Sequence, residues 1–199
     1  MVNHKTIDFR FASKDDAYDE RFILPHIWSR PYEYHYVLDF IQSTGLESPK
    51  IHNSSWGFEG VHVIFRDVLD EIGDCLHSDI VKSKFRDTYY YNILKEKEDF
   101  ENKFDFVLNV STIEHLKSNR ARELAIENLF KQVKTGGYLV VTFDYPKANL
   151  GEIERLINSK CTISGDRLNG DNSIMQNIKY ANLNIVYLIV KKNGQLLGQ

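Results

Sequence analysis

At 199 residues, with 42% hydrophobic and 27% charged side chains, the chain can bury one substantial core and is too apolar to be disordered. Its net charge of −3 argues against a dedicated nucleic-acid binder, which needs clustered Lys and Arg. No apolar run approaches the length of a membrane span and no signal peptide is read, so no membrane partner is expected. Cys75 and Cys161 stand alone in apolar, strand-like runs and are expected to be reduced core residues of a cytoplasmic protein. No CxxC or HxxxH spacing occurs, and no metal site is expected.

Residues 1–24 are polar and irregular, and residues 1–29 are expected to be a flap or an N-terminal extension within a single domain spanning 1–199. Pro31 suits the first turn of a helix, and Tyr34, Leu38 and Ile41 give that helix an apolar stripe ended by Gly45 and Pro49. A short strand, Lys50–Asn53, leads into the loop Ser54–Gly60. A second amphipathic helix carries Val61, Ile64, Val68, Leu69 and Ile72 and closes at Gly73. Asp74–Ile80 alternates as a strand ending near Asp79, and Tyr89–Leu94 predicts another; the charged run Leu94–Lys103 is a solvated connection.

The stretch Phe104–Leu116, FDFVLNVSTIEHL, reads as a buried strand that ends in a polar cluster of Asn109, Ser111, Glu114 and His115. Ile126, Leu129, Phe130 and Val133 mark the next helix, stopped by Gly136 and Gly137. The strand Tyr138–Phe143 follows and ends at Asp144 and Tyr145. A helix over Gly151–Ser159, a short strand at Cys161–Ser164, an exposed loop at Leu168–Ser173 and an apolar strand at Leu183–Val190 complete the chain. Alternation of strand and helix implies right-handed crossovers and a parallel sheet with helices on both faces. The two late strands suggest antiparallel pairing at one edge. Ligands of such sheets bind beyond the carboxyl ends of the strands, where the polar cluster falls.

With FDFVLNVSTIEHL as a fourth strand and LFKQVKTGGYLVVTFDYP as the following helix and fifth strand, residues 30–190 resemble the class I S-adenosylmethionine-dependent methyltransferases. The resemblance implies a doubly wound, mostly parallel seven-stranded sheet with one antiparallel edge strand, and S-adenosylmethionine as cofactor. The first turn departs from the family's acidic residue and glycine-rich loop: in KIHNSSWGFEG, Asn53 stands for the acid, Ser55 for the first glycine, and Gly57 and Gly60 remain. Trp56 must point away or form a wall. By the same resemblance Asp79 accepts from the ribose hydroxyls, Asn92 and Ile93 meet the adenine, and Asn109 and Ser111 contact the methionine end. Around Trp28–Tyr34 the chain is similar to smaller methyltransferase-like proteins of polysaccharide gene regions. Arg30 would there meet the cofactor carboxylate, with Trp28 and Tyr32 at the acceptor.

Glu114, His115 and Asp144 are the catalytic candidates, because transfer of a methyl to oxygen needs an aligned acceptor and a base for its proton. Each residue also has a plainer role: Glu114 and His115 as helix-top residues, Asp79 as a cap of a loop or helix, Asp144 and Asn92 as turn residues, and Arg30 as a surface partner of Glu33. His52 and His77 are expected to be satisfied core histidines. The expected activity is O-methylation of a sugar or glycan hydroxyl; the alternatives are methylation of another small molecule, a non-catalytic binding protein of the same fold, and a nucleotide-dependent oxidoreductase.

Overall fold

A computed structural model describes residues 5–12, 16–23, 29–57, 61–84, 86–145, 148, 161–164 and 184–193. In chain order its elements are β1 (Lys5–Phe11), α1 (Arg30–Ser43), β2 (Lys50–Ser54), α2 (Val61–Ile72), β3 (Asp74–Asp79), β4 (Tyr89–Tyr90), β5 (Phe104–Val110), α3 (Asn119–Gln132), β6 (Val133–Tyr145), β7 (Cys161–Ser164) and β8 (Asn184–Lys192). They form one eight-stranded sheet of order β4-β3-β2-β5-β6-β8-β1-β7. Every pair is parallel except those made by β8, which runs antiparallel to β6 and β1. No helix among the described residues is long and apolar enough to cross a membrane.

The doubly wound α/β class expected from the alternation is observed, with two differences. The segment read as a flap contains β1, whose KTIDFRF alternates Ile7, Phe9 and Phe11 with polar residues, the period of a strand. It pairs along β8 from Lys5 opposite Lys192 to Phe11 opposite Val186. The sheet therefore has eight strands rather than seven, and the antiparallel strand lies inside it rather than at its edge. Gly136 and Gly137 also do not stop α3. That helix ends at Gln132, and the glycines lie in an irregularity of β6, where Phe104 to Phe106 of β5 face Val133 to Tyr138. Gly136 takes φ +86°, and a Cβ on Gly137 would sit 2.6 Å from the Asp105 carbonyl oxygen. The expected 151–159 helix and 168–173 loop lie outside the described residues.

Helices cover both faces. On one, Tyr34, Val37 and Ile41 of α1 and Phe65 and Leu69 of α2 pack on Ile51, Phe106, Leu108 and Val140. On the other, Ala125, Ile126, Leu129 and Phe130 of α3 pack on Val107, Leu139, Val141, Val186 and Leu188. At the amino ends of the strands, Asp105 accepts from the Lys50 amide (2.8 Å) and from Lys134 Nζ (3.0 Å), pinning β2, β5 and β6 together.

His52 of β2 is fully buried and satisfied, as expected. Gln132 donates its amide to the Tyr91 hydroxyl at 2.8 Å, which leaves Gln132 Oε1 to accept from His52 Nδ1–H at 2.6 Å; His52 Nε2 then accepts from the Ser78 hydroxyl at 2.7 Å. Burial pushes the His52 pKa down to about 4, outweighing the bond to Gln132. Between pH 6.5 and about 4 the unfolded chain binds a proton here that the folded chain refuses, so stability falls as pH falls through that window. At pH 5 the loss from this residue should be about 2 kcal/mol. The drop in urea midpoint from pH 7 to pH 5 should be smaller in His52→Gln than in the wild type; equal drops refute this.

Candidate active site

A cleft of about 530 Å³ opens at the carboxyl ends of β2, β3 and β5, within the usual range for small-molecule sites. After β2 the chain turns through Ser54-Ser55-Trp56-Gly57. Ser55 stands at φ +54° and Gly57 at φ +77°, the left-handed region that favours glycine. A Cβ on Gly57 would fall 2.8 Å from the His62 ring. Trp56 is buried as a wall of the cleft, with the Arg66 guanidinium 5.1 Å from its ring centre. Asn53 also lines the cleft and lies 3.3 Å from His77 Nδ1.

Asp79 ends β3 in the same wall. Its Oδ1 accepts from the Val81 amide (2.9 Å) and its Oδ2 from the Gly57 amide (3.3 Å), which fixes the carboxylate toward the cleft while each oxygen keeps accepting capacity. β4 stops at Tyr90, short of the strand expected through Leu94. The chain instead turns at Asn92, whose carbonyl accepts from the Lys95 amide and whose Oδ1 accepts from the Leu94 amide. Asn92 is thus a turn residue, and it lines the cleft together with Ile93 and Leu94.

Arg30 enters from the first turn of α1. Its Nη1 donates to Glu33 and, at 3.2 Å, to Ser29 Oγ, while its buried Nε has no hydrogen-bond partner. The expected Arg30–Glu33 pair exists, but in the interior rather than on the surface: the Glu33 side chain has no exposed area. Glu33 Oε1 accepts from the Ser111 hydroxyl at 2.7 Å and from the Thr142 hydroxyl. Burial raises the Glu33 pKa, but Arg30 and the Thr142 and Ser111 hydroxyls together hold it below the ordinary value.

At the end of β5 Ser111 lines the cleft at φ +43° with its hydroxyl given to Glu33. Asn109 is a correction: it is fully buried between strands and donates to Ser54 Oγ at 3.0 Å instead of reaching the cleft. Ser111, two residues on, lies past the end of β5 with a positive φ, so it does not share Asn109's strand geometry. His115 and Thr112 line the cleft, and the His115 side chain is 66% exposed. Glu114 turns inward. Neither of its oxygens has a hydrogen-bond partner, His115 Nε2 lies 3.9 Å from Oε1, and burial pushes its pKa up to about 8, with Glu33 and Asp144 adding to the rise. Glu114 and Asp144 are not in the cleft lining. Tyr32 packs 5.4 Å from Tyr18 rather than at the cleft, and Gly60 and Trp28 lie outside the described residues.

Tyr34 as a lining residue and His62 are absent from the expectations above, and Glu33 appears there only as a surface partner of Arg30. The Tyr34 hydroxyl bonds His62 Nδ1, and burial, followed by Arg30, pushes the His62 pKa down to about 4. No spacing signals the Tyr34–His62 contact, because it joins two helices.

No family profile matches the chain, and no curated protein does. Solved structures do. One is the Burkholderia thailandensis 1,6-didemethyltoxoflavin-N1-methyltransferase, solved with 1,6-didemethyltoxoflavin and S-adenosylhomocysteine: TM-score 0.60, 10% identity, 85% of this chain and 82% of that one. A second is the N-methyltransferase NodS of Bradyrhizobium japonicum WM9, solved with S-adenosylhomocysteine: TM-score 0.55, 14% identity, 84% and 90%. A third is the cyclase SpnF: TM-score 0.56, 11% identity, 92% and 88%. The chain has the class I methyltransferase fold. Because a cyclase shares that fold, the chemistry has to be argued from the side chains.

Within this methyltransferase-like frame, removing one member of the buried Arg30–Glu33 pair leaves an uncompensated charge. Glu33→Ala should lower unfolding free energy by about 3 kcal/mol in urea titrations. The double variant Arg30→Met/Glu33→Met should recover part of that loss; a single variant within about 0.5 kcal/mol of wild type would show that the pair is not a structural anchor.

Proposed function

We propose that the chain is an S-adenosylmethionine-dependent methyltransferase acting on a small-molecule hydroxyl, with a sugar or glycan as the acceptor class. The observation that carries the reading is convergence. Asn53, Ser55, Gly57, Asp79, Asn92, Ile93, Ser111 and Arg30 come from separate segments and line a single cleft. The cleft also fits the cofactor chemically. Arg30 has an orphaned buried Nε for a carboxylate, and Asp79 keeps lone pairs for paired hydroxyls.

When bound, the cofactor supplies a sulfonium methyl group that an oxygen nucleophile can displace in line. The chain's own part is binding, alignment and proton removal. Asp79 accepts from the ribose hydroxyls, Asn92 offers its amide edge to the adenine, and Ile93 and Leu94 cover the ring. Arg30 meets the amino-acid carboxylate. His115, at the exposed rim, takes the acceptor's proton at Nε2. A sugar acceptor is supported by the absence of a basic balance for nucleic acid and by the open rim at His115. A second reading is methylation of an amine, the reaction named for two proteins of the same fold.

Calorimetric titration with S-adenosylmethionine and S-adenosylhomocysteine is the first test, and no detectable binding of either would sink the enzyme reading. Asp79→Ala should weaken that binding roughly 10- to 150-fold, the loss of charged hydrogen bonds worth about 1.5–3 kcal/mol. Release of S-adenosylhomocysteine with a panel of free sugars and of small amines separates the two acceptor readings. With the active acceptor, His115→Ala should slow methyl transfer by about 10²–10⁴ while leaving S-adenosylhomocysteine affinity intact. A near-normal rate moves the proton-accepting role to Glu114 or Asp144.

A further inference from the structure

Beside Trp56, whose ring centre lies 6.3 Å from that of His77, three side chains of different chemistry converge. Asp70 comes from the last turns of α2, and Cys75 and His77 come from β3. Their ligand atoms all lie within 4.8 Å of one another. The convergence follows from the local fold. Gly73 lets α2 end tightly against Pro49, since a Cβ there would sit 2.2 Å from the Pro49 carbonyl oxygen. β3 then returns beside α2, and residues 75 and 77, two apart on a strand, share the face that looks at the helix. His77 Nε2 lies 2.8 Å from Asp70 Oδ1, and Cys75 Sγ lies 3.2 Å from the Leu69 carbonyl oxygen.

We propose that Asp70, Cys75 and His77 bind a divalent zinc-type cation, with water as the fourth ligand on the exposed Asp70 side. One thiolate, one imidazole and one carboxylate form the mixed S, N, O set that zinc accepts and that hard cations such as magnesium do not select. Tetrahedral zinc holds its ligand atoms about 3.5 Å apart. The widest separation therefore has to contract by about 1 Å and the 2.8 Å His77–Asp70 pair has to open by about 0.7 Å, within reach of χ rotations of the half-exposed Asp70 and of Cys75. On binding, Cys75 Sγ gives its proton to solvent and bonds the metal. His77 shifts its proton from Nε2 to Nδ1 and ligates through Nε2, with no net change in its protonation.

The surroundings supply the outer partners that such a site needs. The Asn53 amide lies 3.3 Å from His77 Nδ1, and turning it by a half-rotation presents Oδ1 to accept the Nδ1 proton. Arg66 Nε stands 3.7 Å from Asp70 Oδ2, leaving Oδ1 for the metal while orienting the carboxylate. The thiolate and carboxylate together balance the dication, so Arg66 faces a neutral centre. Because Asn53 also lines the cleft, the cation would sit one side chain away from it.

The test uses the full chain, stripped with chelator and titrated with cobalt(II), and needs no methyl donor or acceptor. A thiolate-to-cobalt charge-transfer band with tetrahedral d–d absorption should grow to one equivalent and be bleached by zinc. Cys161→Ser should keep the band, Cys75→Ser should abolish it, and His77→Gln should weaken cobalt binding at least tenfold. Circular dichroism reports whether each variant folds. If Cys75→Ser does not, Asp70→Asn, at an exposed position, carries the comparison and should also weaken binding at least tenfold. No charge-transfer band in the wild type, or a band that survives Cys75→Ser, overturns the proposal.

Discussion

Taking a carboxylate out of water costs several kcal/mol unless other groups replace the solvent. Glu33, with no exposed side-chain area, meets that cost with the Arg30 guanidinium on one oxygen and the Ser111 and Thr142 hydroxyls on the other. These partners lie in different elements: Arg30 on α1, Ser111 just after β5, and Thr142 near the end of β6. The carboxylate therefore ties the start of α1 to the carboxyl ends of two central strands. The position of Arg30 over the cleft, the direction of the Ser111 hydroxyl and the closing of the cleft on that side all depend on this one buried charge.

The same interior pushes two carboxyl groups in opposite directions. Glu33 gains a cation and two donors and stays ionised. Glu114 gains burial without a hydrogen-bond partner, and its pKa rises to about 8. The two surroundings thus separate a fixed charge, Glu33, from a carboxyl that exchanges its proton nearer neutral pH, Glu114. The contrast also explains why Glu114 and His115, adjacent in the chain, face different surroundings: the short 3-10 turn Ile113–His115 sends one inward and the other to the rim.

Below the cleft the sheet is built to hold its strand ends still. Asp105 locks the amino ends of β2, β5 and β6, and His52, Ser78, Gln132 and Tyr91 join β2, β3, α3 and the start of the turn at Asn92 by side-chain bonds inside the core. A buried polar chain with its donors and acceptors matched adds positional specificity that apolar packing alone does not provide.

Local pattern carried much of this molecule. Helical spacing marks α1 and α2, the mostly apolar run FDFVLNV marks β5, and strand ends place Asp79 and Ser111 at a carboxyl edge; each follows from neighbours within a few residues. Where the signal was local but weak, it misled: the alternation in KTIDFRF is flanked by charged residues, and the paired glycines of β6 imitate a helix stop. Contacts across long separations left no mark. The Glu33–Thr142 bond spans 109 residues and the Glu33–Ser111 bond 78, and nothing in the order of residues says that these hydroxyls will share one carboxylate. By itself the sequence determined the alternating α/β plan and the residue types available at the strand ends. Tertiary structure decided which of them meet, turning Asn109 into the core, burying the Arg30–Glu33 pair and bringing Asp70 to Cys75 and His77. The reason is that pleat, helix period and turns are set by near neighbours, whereas burial and partner choice are set by packing between elements distant in the chain.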